Sequence, residues 1–194
     1  MRVSREQTAE NHERIVEAAS RLFRQQGFDG VSVDTIMRQA GLTHGGFYGH
    51  FKSKDDLAAR AVASALERSA ERQGRHTGLA DLVSDYLSQR HCSDRANGCA
   101  IAALGADIAR RGKGVRRGVT ANVRAQLDRL AGLLHGDTPA NRRKRAIATL
   151  AGMVGALTLA RAVDDAALSK EILAAAREVF AAADPLRAEH GTDV

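Results

Sequence analysis

Apolar positions in the first third of the chain recur at helical spacing. Ile15, Val16, Ala19, Leu22 and Phe23 fall at i, i+1, i+4, i+7 and i+8, one face of a helix from about Thr8 to Gln26. Gly27 supplies its stop. Val33, Ile36 and Ala40 predict a short second helix, with Ser32 as its N-cap. Gly41-Leu42 reads as a tight break. Thr43 then caps another short helix, HGGFYGHF, whose Phe47 and Phe51 share a face at i, i+4. Ser53-Lys54-Asp55-Asp56 fits the S-x-x-[DE] start signal and opens a helix to about Arg72, with Leu57, Ala61, Ala65 and Leu66 inward.

Beyond Gly78 the helical period continues. LADLVSDYLSQR reads as one amphipathic helix, and Cys92 to Asn97 as a polar break. GCAIAALGADIARR is apolar on most sides, the mark of a buried helix. RGKGVRRG reads as a loop, followed by a helix over VTANVRAQLDRLAGLLH that Gly136 to Pro139 close. ANRRKRAIATLAGMVGALTLARAV starts basic and turns apolar all round, and LSKEILAAAREVFAAA is the last helix. No strand alternation or repeat appears. The pattern predicts an all-α fold of about nine helices. Residues 1–53 form a helix-turn-helix head and residues 54–183 a larger body. Helix 54–72 links the two, and residues 184–194 form a frayed tail.

Residues 32–51 carry the chemistry. Two short helices joined by a glycine-containing turn make a helix-turn-helix, whose second helix can enter a DNA major groove. Ile36, Ala40, Leu42, Phe47 and Phe51 lock the pair, while Thr43, His44, Gly45, Gly46, Gly49 and His50 keep the groove side small and polar. Ser32, Thr43 and Ser53 mark three helix N-termini, each with unpaired N–H groups suited to phosphate.

The run GLTHGGFYGHFKSKDDL, preceded by VSVDTIMRQA, resembles the DNA-binding head of the TetR/AcrR family of bacterial transcriptional regulators, from about Thr8 to Val62. The resemblance implies a homodimeric repressor that binds a pseudo-palindromic operator in double-stranded DNA, dimerises through its last two long helices and is released by a small effector. It assigns Thr43, Tyr48, His50 and Lys54 to phosphates and His44, Gly45 and Gly46 to base edges. His44 stands where many relatives carry Lys or Arg, and Gly49 where many carry a bulky residue. Both departures thin the side-chain readout and shift weight to DNA shape.

For the effector, the expected lining is Leu82, Tyr86, Ile101, Leu104, Leu127, Leu130, Leu134, Met153 and Leu157, which favours an apolar, uncharged ligand. Cys99 offers an alternative, a thiol that senses oxidants or electrophiles; the bland reading is a small buried hydrophobe. In the dimer, Gly152, Gly155, Ala156 and Ala160 are expected to allow close approach, and Leu157, Leu159, Ile172, Ala175, Val179 and Phe180 to supply apolar contact.

Composition narrows the alternatives. Hydrophobic residues at 44% and charged ones at 27% argue against disorder, and two Cys exclude a disulfide framework. No apolar leader core opens the chain, and the uncharged run Ala146–Ala160 is short and interrupted, so a soluble cytoplasmic protein without a membrane partner is expected. No nucleophile elbow, phosphate loop or metal-spaced His cluster appears, so neither enzyme activity, metal nor cofactor is expected. The net charge of +6 permits a nucleic-acid partner, but its excess lies in residues 110–145, with eleven basic residues against two acidic, rather than in the head. The cluster Arg110, Arg111, Lys113, Arg116 and Arg117 reads as a solvated turn, with added phosphate attraction near the head as the alternative.

Overall fold

A computed structural model describes residues 4–136 and 138–182. Among them are nine α-helices and one 3-10 helix, with no strand: α1 Arg5–Gln26, α2 Val33–Gln39, the 3-10 segment His44–Gly49, α3 Lys54–Gln73, α4 Leu79–Tyr86, α5 Gln89–Ser93, α6 Ala100–Ala109, α7 Lys113–Leu133, α8 Pro139–Ala162 and α9 Ala166–Ala181. The expected tail, 184–194, lies outside the described residues, as does Ala183 at the end of the last expected helix.

The chain forms two compact units. The first holds residues 1–68 and 95–120, the second residues 69–94 and 121–194. The expected head, 1–53, sits wholly inside the first unit, which also takes in the start of α3, all of α6 and the start of α7.

Three local expectations are corrected. RGKGVRRG is helical: α7 begins at Lys113, because Val115 is buried in the first unit's core and Val119 packs against it. Residues 79–90 do not form one helix. The chain breaks at Leu87, and Ser88 caps a new helix by accepting from the His91 N–H at 3.1 Å. The second helix of the helix-turn-helix is a 3-10 turn rather than an α-helix, and Thr43 makes no side-chain cap bond to it.

The first unit's core joins Ile15, Ala19 and Phe23 of α1, Ile36 and Met37 of α2, Phe47, Phe51, and Leu57 and Ala61 of α3 to Ala100, Leu104 and Ile108 of α6. Arg24 is buried beside it and donates from Nε to the Ala96 carbonyl at 2.6 Å, a charge-assisted bond that satisfies a buried acceptor. In the second unit α9 packs on α4 and α8, and α5 on α8. Two arginines there complete helix C-termini, whose last carbonyls lack intrahelical donors. Arg161 donates to the His91 and Cys92 carbonyls at the end of α5, at 2.6 and 3.1 Å. Arg129 donates to the Gln73 carbonyl at the end of α3 and to the His76 carbonyl. Among the described residues, α8 alone is long and apolar enough to cross a bilayer. Here Ala146, Thr149, Met153, Leu157 and Ala160 are buried, as in a core helix.

Two histidines carry a pH signature. Burial lowers the pKa of His91 below 6.5, and Arg161 and Arg72 push the same way against the Tyr86 carbonyl and Asp85. Burial also lowers that of His12, with Arg60 and His50 adding to it against Asp56 and Glu13. As pH falls through 6.5, the unfolded chain takes up these protons before the folded one does. Stability therefore holds above that pH, declines below it, and levels off once the folded-state histidines are protonated. The urea midpoint at pH 5.5 should lie below that at pH 7.5, and His91→Gln should shrink the difference. Equal midpoints would contradict the burial argument.

Candidate nucleic-acid interface

The geometry of residues 32–56 follows from local rules. The Ser32 hydroxyl accepts from the Thr35 N–H at 3.0 Å and starts α2. α2 ends in a Schellman turn: Gly41 N–H donates to the Arg38 carbonyl at 3.0 Å and Leu42 N–H to the Met37 carbonyl at 2.9 Å. Gly41 sits at φ +70, and a Cβ there would also strike the Arg14 guanidinium. Leu42 packs back on the core, so the chain is aimed into the next turn. Gly46 N–H then donates to the Thr43 carbonyl at 3.1 Å and begins the 3-10 segment. Phe47 and Phe51, ring centroids 5.7 Å apart, pin that segment to the core. At α3 the Ser53 hydroxyl accepts from Asp56 N–H at 3.1 Å while the Asp56 carboxylate accepts from Lys52 N–H at 3.2 Å. This is the expected start signal, with the carboxylate reaching one residue further back than in a standard capping box.

The expected DNA contacts emerge together on this frame. Thr43, His44, Gly45, Gly46 and Tyr48 are exposed, and His50 and Lys54 are half-buried. Tyr48 is 73% exposed, its ring edge-on to Phe47 at 5.2 Å, so the phenol projects outward from a fixed base. A Cβ added at Gly45 or Gly49 would meet nothing within 4 Å, leaving the backbone open to close approach by a ligand. The Ser32 and Ser53 hydroxyls are engaged in capping, so these serines can position a phosphate only while keeping those bonds.

Some supporting residues are not visible in the sequence pattern. His12 of α1 stacks on Phe51 at 4.5 Å and lies 6.1 Å from His50. Arg111 donates to Asp29 at 2.6 Å and to Asp55 at 2.9 Å, and its guanidinium lies 4.9 Å from the centre of the Phe28 ring. Burial works against that charge, but the two carboxylates outweigh it and raise the Arg111 pKa. Asp29 precedes α2 and Asp55 opens α3, so one side chain ties both ends of the helix-turn-helix to the α6–α7 joint.

Residues 15–61 match the family model described as bacterial regulatory proteins, tetR family. This segment is of the tetR type. Over 56 residues it is 41% identical to the HTH-type transcriptional regulator AcrR of Shigella flexneri, a match covering 29% of this chain and 26% of AcrR. Over 91 residues it is 24% identical to the HTH-type transcriptional regulator YfiR of Bacillus subtilis (strain 168), covering 45% of this chain and 44% of YfiR. These matches span less than half the length of the curated relatives. The tetR-type fold extends further. A TetR transcriptional regulator from Chloroflexus aurantiacus J-10-FL superposes with a TM-score of 0.75 at 25% identity, covering 91% of this chain and 94% of that one. The reduced form of E. coli NemR superposes with a TM-score of 0.71 at 18% identity, covering 88% and 94%. The tetR family is one of regulatory proteins, not of enzymes.

The expected effector-lining residues divide between the two units. Leu82, Tyr86, Leu127, Leu130, Leu134, Met153 and Leu157 are all buried in the second. Cys99, Ile101 and Leu104 belong to the first. Leu104 sits between α1 and α3, where the packing leaves no room for a water, and Ile101 packs on the same core. Both contribute to the packing of the first unit.

The expected dimer contacts divide as well. Ala156, Leu157 and Ala160 are buried within their own chain, and the Phe180 ring occupies the place a Gly152 Cβ would take. What stays exposed is a second stripe, Ile147, Ala151 and Leu159 on α8 and Leu168, Ala175 and Val179 on α9, with half-buried Gly155 and Ile172 beside it.

Proposed function

We propose that the chain is a DNA-binding transcriptional repressor, acting in the cytoplasm as a homodimer on a pseudo-palindromic operator and released by a small apolar effector. One observation carries this reading. An exposed, glycine-rich turn bearing His44 and Tyr48 is fixed by Phe47 and Phe51 between two capped helix starts. Such a turn fits a major groove, with Thr43, Tyr48, His50 and Lys54 on the flanking phosphates and His44, Gly45 and Gly46 at base edges. A two-fold dimer through α8 and α9 is supported by their exposed apolar stripes, which a lone chain leaves in water. It presents two identical heads and so matches a palindrome.

The effector reading is supported by the buried aliphatic set of the second unit with the single hydroxyl of Tyr86. To act as a switch, the ligand must bind one arrangement of the dimer better than the other. The thiol alternative at Cys99 has weaker support, because that thiol is buried, shielded from an oxidant.

The test is fluorescence anisotropy on the DNA upstream of the chain's own gene. Lys54→Ala should weaken binding to every sequence and reduce the log–log salt slope by about one. His44→Ala should instead flatten base preference. An unchanged salt slope for Lys54→Ala would remove that residue from the phosphate contacts.

A further inference from the structure

Around the helix-turn-helix, the acidic side chains are largely claimed by arginines. Asp34 pairs with Arg38, Asp56 with Arg60, Asp107 with Arg110, and Asp29 and Asp55 both with Arg111. Eight cations on the same unit have no ion pair among the described residues: Arg5, Arg14, Arg21, Lys52, Lys54, Lys113, Arg116 and Arg117. Arg5, Arg14 and Arg21 are spread along α1, and Lys54 belongs to the DNA face already described, with Lys52 two residues before it. Lys113, Arg116 and Arg117 stand together on the first turns of α7 and are exposed.

Their arrangement is unfavourable in isolation. Positions 113, 116 and 117 are spaced i, i+3, i+4, so the three charges share one helix face and repel. No acidic residue lies in the first turn of α7 to offset them, and the helix dipole disfavours cations there. Lys113 to Arg117 spans about 6 Å of helix rise, well inside a Debye length of about 8 Å, so the charges act as one patch.

The patch is also held firmly. Val115, within it, is buried in the core of the head unit, and Arg111, two residues before it, is bonded to Asp55 beside Lys54. That bond also offsets the two carboxylates, Asp29 and Asp55, that would otherwise oppose phosphate at this edge.

We propose that Lys113, Arg116 and Arg117 form a second DNA-backbone surface, engaging phosphates that flank the site read by the helix-turn-helix. This rests on the DNA-binding reading above. A polyanion relieves the mutual repulsion of the three cations, and counterion release then adds affinity without adding base preference.

The experiment compares a minimal operator duplex with the same duplex extended by about ten base pairs on each side, each titrated across a salt series. The protein is wild type, Lys54→Ala, or the triple variant Lys113→Gln, Arg116→Gln, Arg117→Gln; the three substituted positions are exposed, and a thermal melt checks that the fold survives. On the extended duplex the triple variant should lose about two to three units of log–log salt slope per head engaged. On the minimal duplex it should match wild type, and its base preference should not change. A wild-type slope for the triple variant on the extended duplex, with Lys54→Ala still lowering it, would overturn the second surface and leave the DNA-binding reading intact. Failure of the wild-type protein to bind either duplex would overturn both.

Discussion

Phe47→Ala should abolish DNA binding and destabilise the first unit by about 3–5 kcal/mol, the usual cost of emptying a buried aromatic site. Phe47 is 1% exposed, stacks on Phe51 and meets Tyr48 edge-on. Its carbonyl accepts from the His50 and Phe51 N–H groups at 2.9 and 3.0 Å, so backbone and side chain close the 3-10 turn at the same residue. Domains hold together by about 5–15 kcal/mol in total, so this loss is a large share. Tyr48→Ala is the informative partner. Its ring is mostly in solvent, so the variant should keep the wild-type urea midpoint while binding DNA more weakly. Urea melts of both variants, read beside anisotropy, separate a missing scaffold from a missing contact. A wild-type midpoint for Phe47→Ala would mean that the turn is held by other means than its aromatic pair.

The head was legible because its determinants are local. Ser32 and Ser53 cap within three residues, the turn at Gly41 closes within five, and Phe47 and Phe51 are four apart. The same features explain what was misread. Glycines at 45, 46 and 49 weaken an α-helix by about 1 kcal/mol each relative to alanine, and the segment settles into a 3-10 turn that still brings Phe47 and Phe51 to one side. Gly114 and Gly118 carry the same penalty, which is why RGKGVRRG read as a loop. The burial of Val115 against the head outweighs it. Arg111 stands out in the sequence only as part of a basic cluster; its bridge has no signature there, because its partners Asp29 and Asp55 lie 82 and 56 residues away and only the folded chain brings them together. The apolar run of α8 was visible, but not which face its own chain would use.

That last distinction gives the sharpest test of the proposed dimer. Gly152→Val should destabilise the second unit by about 1–3 kcal/mol, the range for overpacking, because the Phe180 ring already fills the space of the added side chain and is held by α9. With α9 displaced, the stripe of Leu168, Ala175 and Val179 loses its register with Ile147, Ala151 and Leu159 on α8, and the dimer should weaken along with the fold. Gly155→Val should behave differently. A Cβ at Gly155 meets nothing within 4 Å in its own chain, so the mass by light scattering at micromolar concentration should shift toward the monomer, with the melting temperature falling only by the stability that dimerisation adds. If Gly155→Val stays as dimeric as wild type, the two protomers do not meet on this face of α8. If Gly152→Val melts like wild type, the ring of Phe180 is not what seats α9. The two glycines lie three residues apart on one helix: a Cβ at Gly152 would meet the ring of Phe180, and one at Gly155 would meet nothing within 4 Å, which is the space the proposed dimer would use.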